Sequence, residues 1–364
     1  MKILFVHPSV ELYGADKILL YMLEILCEKN ELTVLLPKDG VLNEKINSIS
    51  SSIRIVIDNN LPLVHSKLKL IDFIRLPSMI YRINHLFKKD QFDVLYCNTL
   101  AVTLLLYTTW SKIKVIHVHE IIKNKLFNFG FSILIRLKTK NVICVSDAVR
   151  RNLFFSKKYK IIHNGIPDIP NKLIENDVSD KIIFSLPGRF MPQKGQWFLI
   201  ETLKLLTKEE KSQIHIRLFG SPPPNRAYLE NELIDNIKQN ELSQIIEINH
   251  FVQDISKIYI DSNVILVPSM MADPFPTTVL ESLEFSRPVI STNHGGAKEI
   301  LNKDYSFLIS PGDTNEFADA IRFFIYHKEL LSEYSKAARH KFEEMLTIQH
   351  FKTYFVQYLE HLAK

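Results

Sequence analysis

Two stretches of this 364-residue chain carry residues whose type and spacing suit a phosphate-bearing ligand. The first is Leu186-Pro187-Gly188-Arg189-Phe190-Met191-Pro192-Gln193-Lys194-Gly195, which leaves an apolar run and enters a helical pattern. Gly188 permits a tight turn. Arg189 and Lys194 can converge on one anion near a helix N-terminus, where the backbone itself favours negative charge. Arg brings a planar fork of donors and Lys a point charge, a pair suited to a diphosphate. The competing reading is a solvated loop with two surface cations. The second stretch runs from Pro268 to Glu281 and contains Asp273-Pro274-Phe275-Pro276-Thr277-Thr278. Thr277 and Thr278 open a helix, so their N–H groups have no partner inside it and can hold a phosphate. Glu281 lies one turn further on, where a carboxylate beside a phosphate suits ribose hydroxyls. For either acid alone, a simpler role is complementing the helix dipole.

These residues need a scaffold, and the apolar pattern supplies one. Nearly continuous apolar runs at Lys2–Val6, Leu32–Leu36, Ile53–Ile57, Val94–Cys97, Lys114–Val118, Val142–Val145 and Lys160–His163 read as strands buried on both faces of a parallel sheet. A second series follows at Lys181–Leu186, His215–Phe219, Ile245–Ile248, Val264–Val267, Pro288–Ser291 and Ser306–Ile309. Helical stretches alternate with them, among them Ala15–Lys29, Ala101–Trp110, Lys194–Thr207, Thr277–Phe285 and Lys328–Met345. Such β–α alternation predicts two Rossmann-like, doubly wound α/β domains, covering 1–168 and 169–346. The join falls in the Pro-containing polar stretch Gly165–Ser179. In such sheets ligands sit beyond the carboxyl ends of the strands. Each motif follows a strand, so facing domains imply a cleft lined by the motifs.

Net charge is +5, unevenly spread. Residues 1–170 hold 24 Lys and Arg against 14 Asp and Glu, which leaves 21 against 26 for the rest. The basic half suits a polyanionic partner. Ser66–Lys89 and Lys123–Lys140 interleave cations with apolar side chains, as a patch facing anionic lipid does; ordinary amphipathic helices give the same pattern. No run of about 20 apolar residues is present to span a membrane. Cys27, Cys97 and Cys144 are odd in number and widely spaced, which fits buried thiols in the cytoplasm better than disulfides or a metal site. With no Asp-x-Asp motif and no His/Cys cluster, no metal is expected. No nucleic-acid partner is expected either.

The motifs together resemble the large family-4 group of retaining glycosyltransferases. The resemblance rests on Gly188-Arg189-x4-Lys194-Gly195 and on Asp273-x7-Glu281 with its internal Phe275-Pro276. It extends to Leu12-Tyr13-Gly14-Ala15-Asp16, His117-Val118-His119-Glu120, Val145-Ser146-Asp147, His163-Asn164-Gly165 and Gly295-Gly296-Ala297-Lys298-Glu299. In this order and spacing the set covers nearly the whole chain. The resemblance implies a GT-B fold, with 347–364 crossing back onto the first domain. It also implies that the first domain binds the acceptor and the second a nucleotide-diphosphate sugar. Glu281 would then bind ribose, Asp273 the sugar hydroxyls, and Arg189 and Lys194 the departing diphosphate. Gly14 and Gly188 would let backbone approach it. Phe275, Thr277 and Thr278 would line the donor site, and Val252 and Ile255 would lie beside the base. His119 would face the reacting sugar, although a His at a strand end is most often structural. His117 reads as pointing the other way along its strand. Ser146 is most simply an N-cap. Glu299 could touch ligand or cap its helix. The family often has Glu where Asp273 stands and Gly where Pro276 stands, and Pro removes one backbone donor.

The mechanism implied needs no cofactor. Cations at the departing diphosphate stabilise charge that grows in the transition state. The acceptor hydroxyl attacks from the face the diphosphate leaves, and a phosphate oxygen can take its proton. The expected role is transfer to a glycan or lipid-linked glycan in bacterial surface polysaccharide synthesis (capsule, O-antigen), at the cytoplasmic face of the inner membrane. The alternatives are a non-catalytic GT-B partner subunit and, further off, a sugar-nucleotide epimerase.

Overall fold

The computed structural model describes all residues except 62, 64–69, 109–110, 169–179, 251, 253 and 364, and no side chains for 70–76 and 79. Ser66, Lys67, Lys69 and the side chain of Arg75, all in the first basic segment, lie outside that description. So do Trp110 and most of the Gly165–Ser179 join.

The chain forms two compact units: Met1–Ile166 with Ile348–Lys364, and Pro167–Thr347. The sequence placed these divisions one or two residues away, at 168/169 and 346/347. Among the described residues the first unit holds seven parallel strands: β1 (Lys2–Val6), β2 (Glu31–Leu36), β3 (Arg54–Ile57), β4 (Phe92–Asn98), β5 (Ser111–Val118), β6 (Asn141–Cys144) and β7 (Lys160–Ile161). Their spatial order is β3-β2-β1-β4-β5-β6-β7. The second unit holds β8 (Ile182–Pro187), β9 (Ile214–Phe219), β10 (Ile246–Asn249), β11 (Val264–Val267), β12 (Val289–Thr292) and β13 (Ser306–Ile309). Their order is β10-β9-β8-β11-β12-β13, again all parallel.

Each sheet reverses its winding direction at one place, between β1 and β4 in the first and between β8 and β11 in the second. The loops leaving such a pair of strands part to opposite sides and open a crevice at their carboxyl ends. The register there pairs Val6 with Cys97 and Val264 with Phe184. The central strands are buried along nearly their whole length. That is why they read as unbroken apolar runs.

The last helix, Ile348–Ala363, belongs to the first unit. Its Phe351, Phe355 and Leu359 are buried in the first core, with Phe355 edge-on to Tyr96 at 5.9 Å between ring centres. Ile348 N–H donates to the Ile166 carbonyl at 2.7 Å.

One expected element differs. Ala101–Trp110 reads as helical, and the chain there forms a 3-10 helix over Leu100–Tyr107 instead of an α-helix. Val102 through Leu106 are all buried, so there is no wet face to give helical periodicity. Thr99, Thr103 and Thr108 also draw the local backbone into side-chain hydrogen bonds. Among the described residues no helix is long and apolar enough to cross a membrane. The three cysteines are free thiols, Cys97 and Cys144 buried and Cys27 half-buried.

Candidate functional site

In the second unit the two ligand-type stretches leave neighbouring strands at the winding reversal. The first follows β8. Gly188 N–H donates to Phe219 at 2.8 Å, fixing the turn. Pro192–Lys194 makes one 3-10 turn, and Gly195 then takes a left-handed φ of +88° before the helix Gln196–Lys204 begins. A methyl carbon on Gly195 would lie 2.0 Å from the Pro268 carbonyl oxygen, so the β8 loop lies against the β11 loop. Met270 N–H donates to the Gln193 carbonyl at 2.9 Å and locks the two together.

That contact brings Lys194 and Asp273, 79 residues apart, into an ion pair of 3.0 Å. Arg189 is half-buried on the same loop. Its carbonyl and that of Gly188 accept from the fully buried Gln196 amide, at 3.0 and 3.5 Å. The backbone of Asp273 and Pro274 is set by two glycines. Gly296 N–H donates to the Asp273 carbonyl at 2.8 Å. A methyl carbon would lie 2.1 Å from the Asp273 carbonyl oxygen at Gly295 and 2.2 Å from that of Pro274 at Gly296.

The helix Thr277–Glu284 starts just past this loop with Pro276 at its N-cap, and no side chain caps it. Thr277 and Thr278 are half-buried, and Phe275 is buried. Glu281 is buried and accepts a 2.7 Å hydrogen bond from the Tyr259 hydroxyl. Tyr259 stacks on Phe285, which fixes the donor. Val252 and Ile255 lie half-buried on the loop after the edge strand β10, two strands away from β8.

The first unit gathers a second group at its own winding reversal. His119, just beyond β5, meets the Asn98 side chain at 2.9 Å. Asn98 ends β4 and meets His7, just beyond β1, at 2.9 Å. His7 in turn meets Asp16 at 2.6 Å. Asp16 sits in the first turn of the helix Gly14–Leu26, which Gly14 opens, and accepts from the Tyr13 N–H at 2.8 Å. Burial, with His117 and His7 nearby, holds the His119 pKa well below its ordinary value. His117, similarly buried, is pushed down to about 3. Burial raises Glu120 to about 7, although N–H donors from Leu100 and His119 oppose the shift.

His117 does not point away from His119. The two rings lie 4.1 Å apart, because residues two apart on a strand share a face. Ser146 caps its helix by accepting from Val149 N–H at 3.1 Å. Sequence reasoning missed Asn98, His7, Tyr259 and Gln196. Asn98, His7 and Tyr259 act through partners distant in sequence, which no local spacing reveals, and Gln196 acts through backbone carbonyls that carry no residue-type signal.

This two-sheet architecture is the GT-B fold. The chain superposes on the Anabaena protein HepE, solved in complex with UDP, with a TM-score of 0.81 and 18% identity over 99% of this chain and 100% of that one. Residues 168–341 match the family described as glycosyl transferases group 1. That span takes in nearly all of the second unit. Among curated relatives, the chain is 26% identical to the O-antigen chain mannosyltransferase C of Escherichia coli over 172 residues, 46% of this chain and 43% of that protein. It is 27% identical to the capsular polysaccharide biosynthesis glycosyltransferase CapH of Staphylococcus aureus over 180 residues, 48% and 49% of the two chains. The chain thus spans about half the length of these curated relatives.

Proposed function

We propose that the chain is a retaining glycosyltransferase that moves a sugar from a nucleotide-diphosphate sugar to a glycan or lipid-linked glycan in surface polysaccharide synthesis. The observation that carries this reading is the Lys194–Asp273 contact. It joins a cation-bearing loop to an uncapped helix N-terminus at the winding reversal of a group 1 domain. Arg189, Lys194 and the N–H groups of Thr277 and Thr278 would hold the diphosphate. Glu281, aimed by Tyr259, would take ribose hydroxyls. Asp273 would exchange its lysine for hydroxyls of the sugar. Cations placed before the reaction at oxygens that gain charge lower the barrier without further reorganisation. In this reading no metal takes part. The relatives' names support polysaccharide synthesis, and the UDP in HepE makes uridine nucleotides the first to try.

Thermal unfolding with a panel of nucleotides and nucleotide sugars, in EDTA, tests it. A ligand at about 100 times its Kd adds about 2.7 kcal/mol of stability. Stabilisation by one nucleoside diphosphate, kept in EDTA and lost in Glu281→Ala, is expected. No response to any nucleotide would sink the reading and favour a non-catalytic partner subunit.

A further part of the reading is contact with anionic membrane through the first unit. The helix Lys125–Lys138 leaves Leu126, Phe129 and Leu137 exposed. Phe154 and Phe155 stand beside Phe129 at 5.3 and 6.0 Å between ring centres. Arg136 lies 4.9 Å over the Phe155 ring, and Lys123, Lys125, Lys138, Lys140, Lys157 and Lys158 are exposed on the same stretches of chain. Aromatic side chains interspersed with cations fit the headgroup boundary of anionic lipid. Replacing both Phe154 and Phe155 by Ser is expected to weaken binding to phosphatidylglycerol vesicles at least about tenfold, measured by co-sedimentation. Binding unchanged in that variant would exclude this face.

A further inference from the structure

The group at the first winding reversal has a direction built into it. Asp16 and His7 are buried, at 2% and 0% exposure, and so is Asn98 at 0%. A carboxylate oxygen can only accept, so His7 Nε2 carries its proton toward Asp16 Oδ1. The Asn98 amide nitrogen faces both His7 Nδ1 and, at 3.5 Å, the Ala15 carbonyl oxygen. A carbonyl oxygen there demands a donor, so this end of Asn98 is its NH2 group, and His7 Nδ1 is an acceptor. Asn98 Oδ1 is then left for His119 Nε2, 2.9 Å away. An amide oxygen only accepts, so His119 donates from Nε2. Burial keeps its ring neutral, which leaves Nδ1 as the lone-pair nitrogen.

We propose that Asn98, held by His7 and Asp16, is a positioning residue that fixes His119 as the neutral Nε2–H tautomer, with Nδ1 the atom offered to substrate. This rests on the sugar-transfer reading for its function but not for its geometry. A nitrogen lone pair so presented accepts a hydrogen bond from a hydroxyl and has nothing to donate to a phosphate oxygen. The chain of bonds begins in the helix Gly14–Leu26 and ends at the strand end that carries His119. It therefore ties His119 to the helix that Gly14 opens, 21 residues of sequence separating Asn98 from His119 and 91 separating Asn98 from His7.

The test combines long-range proton–nitrogen NMR of the histidine rings with turnover, in wild type, Asn98→Ala and Asn98→Asp. Wild type is expected to show the Nε2–H tautomer at both His7 and His119. In Asn98→Ala, His119 is expected to populate both tautomers, with kcat down about 10–100-fold and nucleotide Kd unchanged. Asn98→Asp keeps an acceptor for His119 but reverses the demand on His7. It is expected to retain the His119 tautomer, move a proton onto His7 Nδ1 and recover most of kcat. If Asn98→Ala fails to fold, wild type and Asn98→Asp still decide. An Nδ1–H His119 in wild type, or an unchanged tautomer in Asn98→Ala, overturns the proposal. So does a changed tautomer with an unchanged kcat. If wild type turns over no nucleotide sugar, the sugar-transfer reading falls, while the NMR arm still decides whether Asn98 sets the tautomer.

Discussion

Lys194→Ala is expected to lower kcat for donor turnover by about 10²–10³-fold, the usual effect of removing one preorganised charge from a developing anion. Stability is expected to change by less than about 1 kcal/mol. The two effects separate because the Lys194–Asp273 pair is partly solvated, with side chains 41% and 25% exposed. Water replaces most of what such a pair contributes when the lysine is cut away. Water does not replace a cation held against a leaving diphosphate. Lys194→Arg is expected to recover only part of the rate, since a planar guanidinium fork does not reproduce the compact point charge of an ammonium. Single-turnover kinetics beside a thermal melt checks both. Wild-type turnover in Lys194→Ala would remove this lysine from the chemistry.

Gly295→Ala is expected to destabilise the second unit by about 2–4 kcal/mol and to abolish nucleotide binding. Gly295 holds a φ of +62°, and a methyl carbon there would meet the Asp273 carbonyl oxygen at 2.1 Å. A backbone oxygen cannot swing aside as a side chain does. The Asp273–Pro274 turn must move, and with it the start of the Thr277 helix. Gly312 gives an internal control, because its φ is +85° but nothing lies within 4 Å of an added methyl. Gly312→Ala should cost only the left-handed backbone term, about 1–2 kcal/mol, and leave nucleotide binding intact. Urea unfolding of both variants, each with a nucleotide titration, measures the difference. Equal losses in the two would mean that the close approach at Asp273 is relaxed at no cost.

The strands were legible because burial on both faces leaves a mark that needs no alternation: β1, β11 and β13 begin and end where the apolar runs do. The β8 and β11 loops were legible because glycine, proline and charged residues sit at fixed offsets after those runs. The 3-10 segment Leu100–Tyr107 was not, since a wholly buried stretch has no polar face to betray its pitch. The shared face of His117 and His119 follows from strand geometry alone. Asn98 and His7 were not legible in any spacing. Sheet order brings β1, β4 and β5 together, and a lone Asn at a strand end looks like any other. Tyr259 was hidden for the same reason, its hydroxyl reaching Glu281 across 22 residues.

The helix Ile348–Ala363 has a consequence for how the molecule is made. The first unit cannot close its core until Phe351, Phe355 and Leu359 arrive, and 181 residues, Pro167 to Thr347, come off the ribosome before they do. At roughly 5–20 residues per second that is on the order of ten to forty seconds. Throughout that interval the sheet of β1 to β7 lacks the side chains that cover Tyr96, while the second unit has every residue it needs. The unit translated first is therefore the last to be finished. The hydrophobic surface a chaperone would shield during synthesis lies on the N-terminal half.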